Sequence, residues 1–180
     1  MSLLDLTEVR GFLGISSAAG DLVALATLVD GAEDWVERFC GIKLASTELV
    51  HHASGGLCTL SLPYGPLLGV TEIVDVFDDD EVVDPDEYAV RSDWVYRVSS
   101  SGALYNWPRG EYRFKVSYTA GYTTVPASVK AALLNLVHRA YFNRGDVKSR
   151  ADQGLTVSWD NIASGDIREA LAATKRGGFF

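Results

Sequence analysis

Only two cysteines, Cys40 and Cys58, occur in 180 residues, too few for a disulfide-stapled scaffold. They read as free, mostly buried packing thiols of a reducing compartment. No run approaches the roughly 18 apolar residues that span a bilayer. Residues 1–20 carry Asp5 and Glu8 and lack the basic start and apolar block of a secretory signal, so a cytoplasmic protein without membrane contact is expected. Positive charge is also scarce. Sixteen Lys and Arg face 24 Asp and Glu, a net charge of −8 that argues against gripping a polyanion through counterion release. It is compatible with a conduit, because acidic walls repel phosphates and keep a duplex sliding. No internal repeat or low-complexity tract occurs.

The motifs of catalysis are missing as well. There is no G-x-S-x-G elbow, no G-x-G-x-x-G and no phosphate loop ending in G-K-[ST]. The three histidines are His51, His52 and His138. His51 and His52 point to opposite faces of any strand, so at most one can share a site with Cys58, which leaves a metal short of ligands. His138, off the apolar centre of its helix, reads as a surface or interface residue. The segment Asp75 to Glu87 holds eight acidic residues. A calcium loop starting at Asp78 would need an oxygen ligand and a glycine where Val82 and Val83 stand, so a solvated hairpin tip is the better reading. No enzyme activity, metal or cofactor is expected.

What is present is a folded composition, 47% hydrophobic and 22% charged, in a length suited to one domain with an appended module. The most legible stretch runs from Phe114 to Asp146. Phe114, Val116 and Tyr118 alternate with Lys115, Ser117 and Thr119, the period of a strand with one buried face. Gly121 breaks the pattern, and Pro126 suits the first turn of a helix. Leu133, Leu136 and Ala140, flanked by Ala132, Val137 and Tyr141, form its apolar stripe, and Gly145 is placed to end it.

Upstream, Leu6, Val9, Phe12 and Leu13 predict a short helix capped by Asp5 or Thr7. A longer one follows from Asp21, with Leu22, Leu25, Ala26, Val29, Ala32, Val36 and Phe39 on one face and Gly41 at its end. Trp35 lies off the centre of that stripe, either a core-edge aromatic or an anchor against a neighbour. Between Ile42 and Tyr118 the helical period gives way to six candidate strands: 44–52, 57–62, 70–77, 87–91, 94–98 and 112–118. Gly55-Gly56 reads as a hairpin turn joining the first two. Tyr105 and Trp107 sit on a Gly- and Pro-containing loop, as a mini-core or as a contact surface. Past Gly145 a loop or extended arm leads to a helix around Ile167, Ala170, Leu171 and Thr174, capped by Ser164 or Asp166. The fold class is therefore α+β, a mainly helical body with an inserted antiparallel β module. Its parts are 1–41, the N-terminal helices; 42–118, the β module; 119–145, the long helix; and 146–180, a C-terminal arm and helix.

Val116 to Tyr122, V-S-Y-T-A-G-Y, then Pro126, the Ala/Leu-rich helix and Tyr141, Asn143 and Arg144 resemble the signature of the head-tail connector family of tailed bacteriophages. These are also called head-completion or adaptor proteins and have relatives in phage-derived gene transfer agents. Looser similarity covers Leu6 through Gly41 and the Leu60-Ser61-Leu62-Pro63-Tyr64-Gly65-Pro66-Leu67 stretch. The resemblance implies a structural virion protein that forms a ring beneath the portal, of roughly twelvefold symmetry. It would join the DNA-filled head to the tail and extend the DNA channel. Implied partners are the portal protein, a tail-proximal connector or stopper protein and further copies of itself, with DNA only as cargo. The place of action would be the virion, after assembly in the bacterial host cytoplasm. The stretch after Gly145 becomes a docking arm, ordered mainly on docking. Candidate subunit or portal contacts are Trp35, Tyr105, Trp107, Arg139, Arg144, Phe179 and Phe180. Arg139, Arg144, Lys148 and Arg150 either serve helix dipole and solubility or face DNA or an acidic portal surface. The alternative from another class is a phage single-stranded-DNA-binding or replication accessory protein, against which the net charge counts.

Overall fold

The structure, a computed structural model, describes residues 3–15, 19–91, 93–142, 159–172 and 174–175. It is α+β, as expected, and the chain divides into two compact units, Met1–Cys40 with Val125–Phe180, and Gly41–Thr124.

The first unit is helical. Its elements are α1 (Leu6–Leu13), α2 (Ala19–Cys40), α3 (Ala127–Phe142), α4 (Trp159–Ile162) and α5 (Gly165–Ala172). Asp5 caps α1 by accepting the Thr7 N–H at 3.0 Å, and Gly14 ends it in the left-handed conformation. Gly41, at φ +64°, follows α2 in the same way. The face that α2 buries is Leu25, Leu28, Val29, Ala32, Trp35, Val36 and Cys40. This stripe is rotated slightly from the one expected, because Leu28 and Cys40 belong to it and Trp35 lies within it. On α3 the buried residues are Val129, Ala132, Leu133, Leu136, Val137 and Ala140, a spacing of three and four that keeps one face inward. Each fully buried Leu or Val contributes about 1.5–3 kcal/mol relative to exposure.

Helix α3 packs against α2 and α5, and α1 rests on α2 and α3. Polar ties fix this arrangement. The Glu33 carboxylate accepts the N–H groups of Leu3 and Leu4 at 2.9 and 3.0 Å, and Lys130 pairs with Glu8 at 2.8 Å. Trp159 lies across α2 at Gly31, where a Cβ would come within 2.7 Å of its Cζ2. The expectation of a loop or arm up to Ala163 is corrected there: Trp159–Ile162 is helical and Ala163 is buried. Ile167 and Leu171 of α5 are buried too. The described part of the C-terminal stretch thus belongs to the helical core, because its apolar residues match the faces of α2 and α3.

Among the described residues the second unit contains seven strands in two antiparallel sheets, where six strands were expected without division. These are β1 (Thr47–Ala53), β2 (Thr59–Leu60), β3 (Leu67–Asp75), β4 (Glu81–Val82), β5 (Tyr88–Arg91), β6 (Trp94–Arg97) and β7 (Phe114–Ala120). One sheet has the order β1-β7-β3-β4, the other β2-β6-β5. Phe114, Val116, Tyr118 and Ala120 of β7 point into a core shared with Ala53, Ile73, Leu60, Val95 and Trp107. Residues from both sheets enter this core, so the unit is closed by its own apolar faces.

The Gly55-Gly56 hairpin is overturned. Strand β1 pairs with β7 and β2 with β6, in different sheets. The glycines serve close approach instead. Gly55 and Gly56 donate to the carbonyls of Gly110 and Trp107 at 2.9 and 3.0 Å, and a Cβ on Gly55 would overlap the Pro108 carbonyl. The tight hairpin of the larger sheet lies between β3 and β4, where Asp79 and Asp80 adopt φ of +49° and +58° in an exposed acidic turn. Asp tolerates that region better than most residues.

Candidate assembly surfaces

Two of the stretches that carry the family resemblance, 60–67 and 116–122, meet in the β unit. Gly121, in the A-G-Y turn, donates its N–H to the Pro66 carbonyl at 2.9 Å, while Gly65 exchanges backbone hydrogen bonds with Gly41 and Lys43. The Leu67 N–H is held by Asp93 at 3.2 Å, and Lys43 lies over the Tyr64 ring at 4.6 Å. Gly121 has φ +123° and leaves no room for a side chain against Ala45. The motif residues therefore form one backbone junction beside the start of β3 and the end of β7. Its chemistry is structural.

On the same unit, the Arg97 guanidinium pairs with Glu87 at 2.8 Å and lies over the rings of Tyr105 and Trp107, at 5.0 and 5.2 Å. Trp107 is 1% exposed and packs edge-on against Phe114. Of the two readings of that loop, Trp107 takes the mini-core, and its indole is not a surface anchor. Its hydrophobic ring completes the core that short strands leave open. Tyr105, 37% exposed, presents the other side of the Arg97 stack to solvent.

A second polar anchor lies near the acidic hairpin. Arg113 binds Asp75 through both carboxylate oxygens, at 2.7–2.9 Å, and the Phe77 N–H adds a bond at 3.1 Å. Burial pushes the Asp75 pKa up, but the bonds from Arg113 and Phe77 and the charges of Arg113 and Arg97 outweigh it and hold it below the usual value. Asp75 is thus part of the framework, whereas Asp78, Asp79, Asp80 and Glu81 are exposed. Among the described residues no group of three or more His, Cys, Asp or Glu is placed to hold a metal ion. His51 is half-buried on the inward face and His52 exposed on the outward one; burial, then the neighbouring His52, lower the His51 pKa.

On the helical unit, Trp35 is 6% exposed, stacked on Phe39 at 4.8 Å with Arg168 over both rings. It too is enclosed rather than displayed, because the α2 stripe includes it. Arg139 pairs with Asp166 at 2.8 Å and with Ser164, and Ser164 also bonds Asp166, so these residues tie α3 to the start of α5. The Ser164 hydrogen bond, chiefly, and the Arg139 charge lower the Asp166 pKa. Arg144, Phe179 and Phe180 lie outside the described residues, as do Lys148 and Arg150.

One exposed feature escaped the sequence. Phe12 and Phe142 are both about half exposed, and His138 lies between them with ring centroids at 6.1 and 4.6 Å. Phe12 had been expected to face inward, but Val9 and Leu13 fill the buried face of α1. The signal that could have found it is spacing: Phe142 follows His138 by four residues on one helix face.

No curated protein matches the sequence. In fold, the chain is similar to one from the neck of an empty GTA particle computed with C6 symmetry, at 18% identity and a TM-score of 0.67, covering 98% of this chain and 91% of that one. It is also similar to a chain of the virion of a native gene transfer agent (GTA) particle, at 20% identity and a TM-score of 0.64, with the same coverage. A third likeness is to a chain from the neck of a native GTA particle computed with C12 symmetry, at 16% identity and a TM-score of 0.58, covering 97% of this chain and 90% of that one. These likenesses establish the fold across both units. The family model of the head completion protein matches residues 2–172, which include the whole β unit with the motif junction between Pro66 and Gly121 and most of the helical one, and the chain belongs to that family.

Proposed function

We propose that the protein is a structural head-tail connector of a phage-type particle, acting by assembly rather than by turnover. The observation that carries this is the family match over residues 2–172 on a fold whose junction between Pro66 and Gly121 is built from backbone contacts. In this role copies form a ring beneath the portal, extend the DNA channel and present a platform to a tail-proximal connector or stopper protein. Net charge of −8 suits DNA that passes through without being gripped.

Rings close through heterologous contacts repeated at a fixed rotation. Suitable contact residues include Tyr105 among the exposed residues of the β unit, and Phe12, His138 and Phe142 beside Arg139 on the helical one. Aromatic residues and arginine are enriched at energetically dominant interface positions.

The test uses DNA-filled heads that carry the portal but lack this protein. Adding the purified protein is expected to restore tail attachment, and Phe142→Ser is expected to reduce it. Heads that join tails equally well without the protein would overturn the connector role. Light scattering across a concentration series then separates rings that form alone from rings that require a portal.

A further inference from the structure

Strand β1 ends its sheet. No described strand lies beyond it, so among the described residues no strand pairs with the backbone N–H and C=O groups on the side away from β7. Natural edge strands are usually blunted by shortness, a bulge, proline or lysine. The opposite edge of the same sheet follows that rule, since β4 has only two residues. Strand β1 does not: it is seven residues long, T-E-L-V-H-H-A, without proline or lysine and in unbroken register with β7 from Thr47 to Ala53.

Its outward face is also patterned. Glu48, Val50 and His52 are exposed, Val50 at 61%. Opposite His52 on β7 stands Lys115, exposed as well, while Thr119 stands opposite Glu48. One end of the strip is acidic and the other basic, with an apolar residue at the midpoint. A second β1 laid antiparallel in the register that pairs the whole strand centres on Val50. That register places Glu48 of each copy opposite His52 of the other, next to Lys115, and Val50 against Val50. Pairing and charge select the same alignment.

We propose that β1 is a self-complementary edge through which two copies join antiparallel into one continuous sheet. The Glu48–His52 contacts beside Lys115 and the apolar Val50 pair then stabilise the contact, in addition to the backbone ladder. It is isologous, unlike the head-to-tail contacts of a ring, and does not rest on the connector role.

Directly opposed residues of an antiparallel pair have Cα atoms about 4.5–5.5 Å apart, inside the roughly 4.4–6.8 Å range of a disulfide. The experiment is therefore mild oxidation of full-length Val50→Cys in a Cys58→Ser background, with Ser101→Cys as an exposed control. A covalent dimer from the Val50 variant, well above the control, is expected. Adding His52→Glu should lower its yield roughly tenfold, since like charges then face each other twice. Combining His52→Glu with Glu48→Lys should restore it. A yield no higher than the control, insensitivity to His52→Glu, or no rescue by the swap overturns the inference. Rings seen by light scattering while the Val50 variant stays uncrosslinked would sink the edge contact and leave the connector role standing.

Discussion

Gly121 donates its N–H to the Pro66 carbonyl at 2.9 Å, with φ +123° and the Ala45 carbonyl packed where a Cβ would stand. Two independent constraints, backbone conformation and close approach, thus require glycine in the A-G-Y turn. Gly121→Ala is expected to cost about 3 kcal/mol, combining strain with displacement of the 45–46 backbone. Gly69→Ala, where nothing lies within 4 Å of the added carbon, is the control and should be near neutral. Urea unfolding of the two variants checks both; equal stability would remove the structural reason for that glycine.

The Asp75–Arg113 pair gives a pH dependence with a definite sign. The folded pKa of Asp75 is held down by Arg113 and the Phe77 N–H, against the opposing effect of burial. A depressed carboxylate contributes stability that is complete well above the unfolded value of about 3.9. It is lost as pH falls through the folded value. The midpoint of urea unfolding should therefore fall on acidification below about pH 4 more steeply for the wild type than for Asp75→Asn. Asp75→Asn should also be less stable at neutral pH, because Arg113 loses its charged partner. Parallel pH profiles for the two proteins would exclude the pair as a source of acid sensitivity.

Much of this was legible in the sequence because it depends on local period. The alternation of Phe114, Val116 and Tyr118 with Lys115, Ser117 and Thr119 found β7, and the three-and-four spacing of Val129 through Ala140 found α3. What failed depends on partners distant in sequence. Gly55-Gly56 looks the same whether it turns a hairpin or admits the 107–110 loop, and only the register of β1 on β7 decides. Asp75 is one carboxylate among eight until Arg113, 38 residues later, singles it out. The exclusion of Phe12 from the core likewise depends on how Val9 and Leu13 already fill the face of α1.

The two thiols should differ in reactivity. Cys40 is buried, with its Sγ 4.0 Å from the Leu171 carbonyl and 3.9 Å from Thr174 Oγ1, and burial raises its pKa despite that hydrogen bond and Lys175. Cys58 is only partly buried. Under native conditions a thiol reagent should modify Cys58 first, and Cys40 only at the rate of opening of the α2–α5 contact. Mass spectrometry after brief labelling reads the order; prompt modification of Cys40 would mean that α5 is not held on α2.

Arg97 should act as a local latch rather than a general stabiliser. Its guanidinium carries the rings of Tyr105 and Trp107 and pairs with Glu87, while its carbonyl accepts the Tyr105 N–H at 3.3 Å. Arg97→Met keeps the aliphatic stem and the backbone bond but removes the charge, at an expected cost of about 1–2 kcal/mol. That loss falls on the 100–110 loop, whose remaining ties include the Trp107 N–H to the Leu57 carbonyl at 2.8 Å. Amide exchange at Tyr105 and Trp107 should accelerate about tenfold, whereas Val116 and Tyr118 on β7, which open only with the whole unit, should change less. A uniform acceleration would instead make Arg97 part of the global fold. If Tyr105 is a contact with a neighbouring copy, the loosened loop should also weaken assembly in Arg97→Met while Phe142→Ser weakens it with the loop intact, and the two exchange profiles separate the causes.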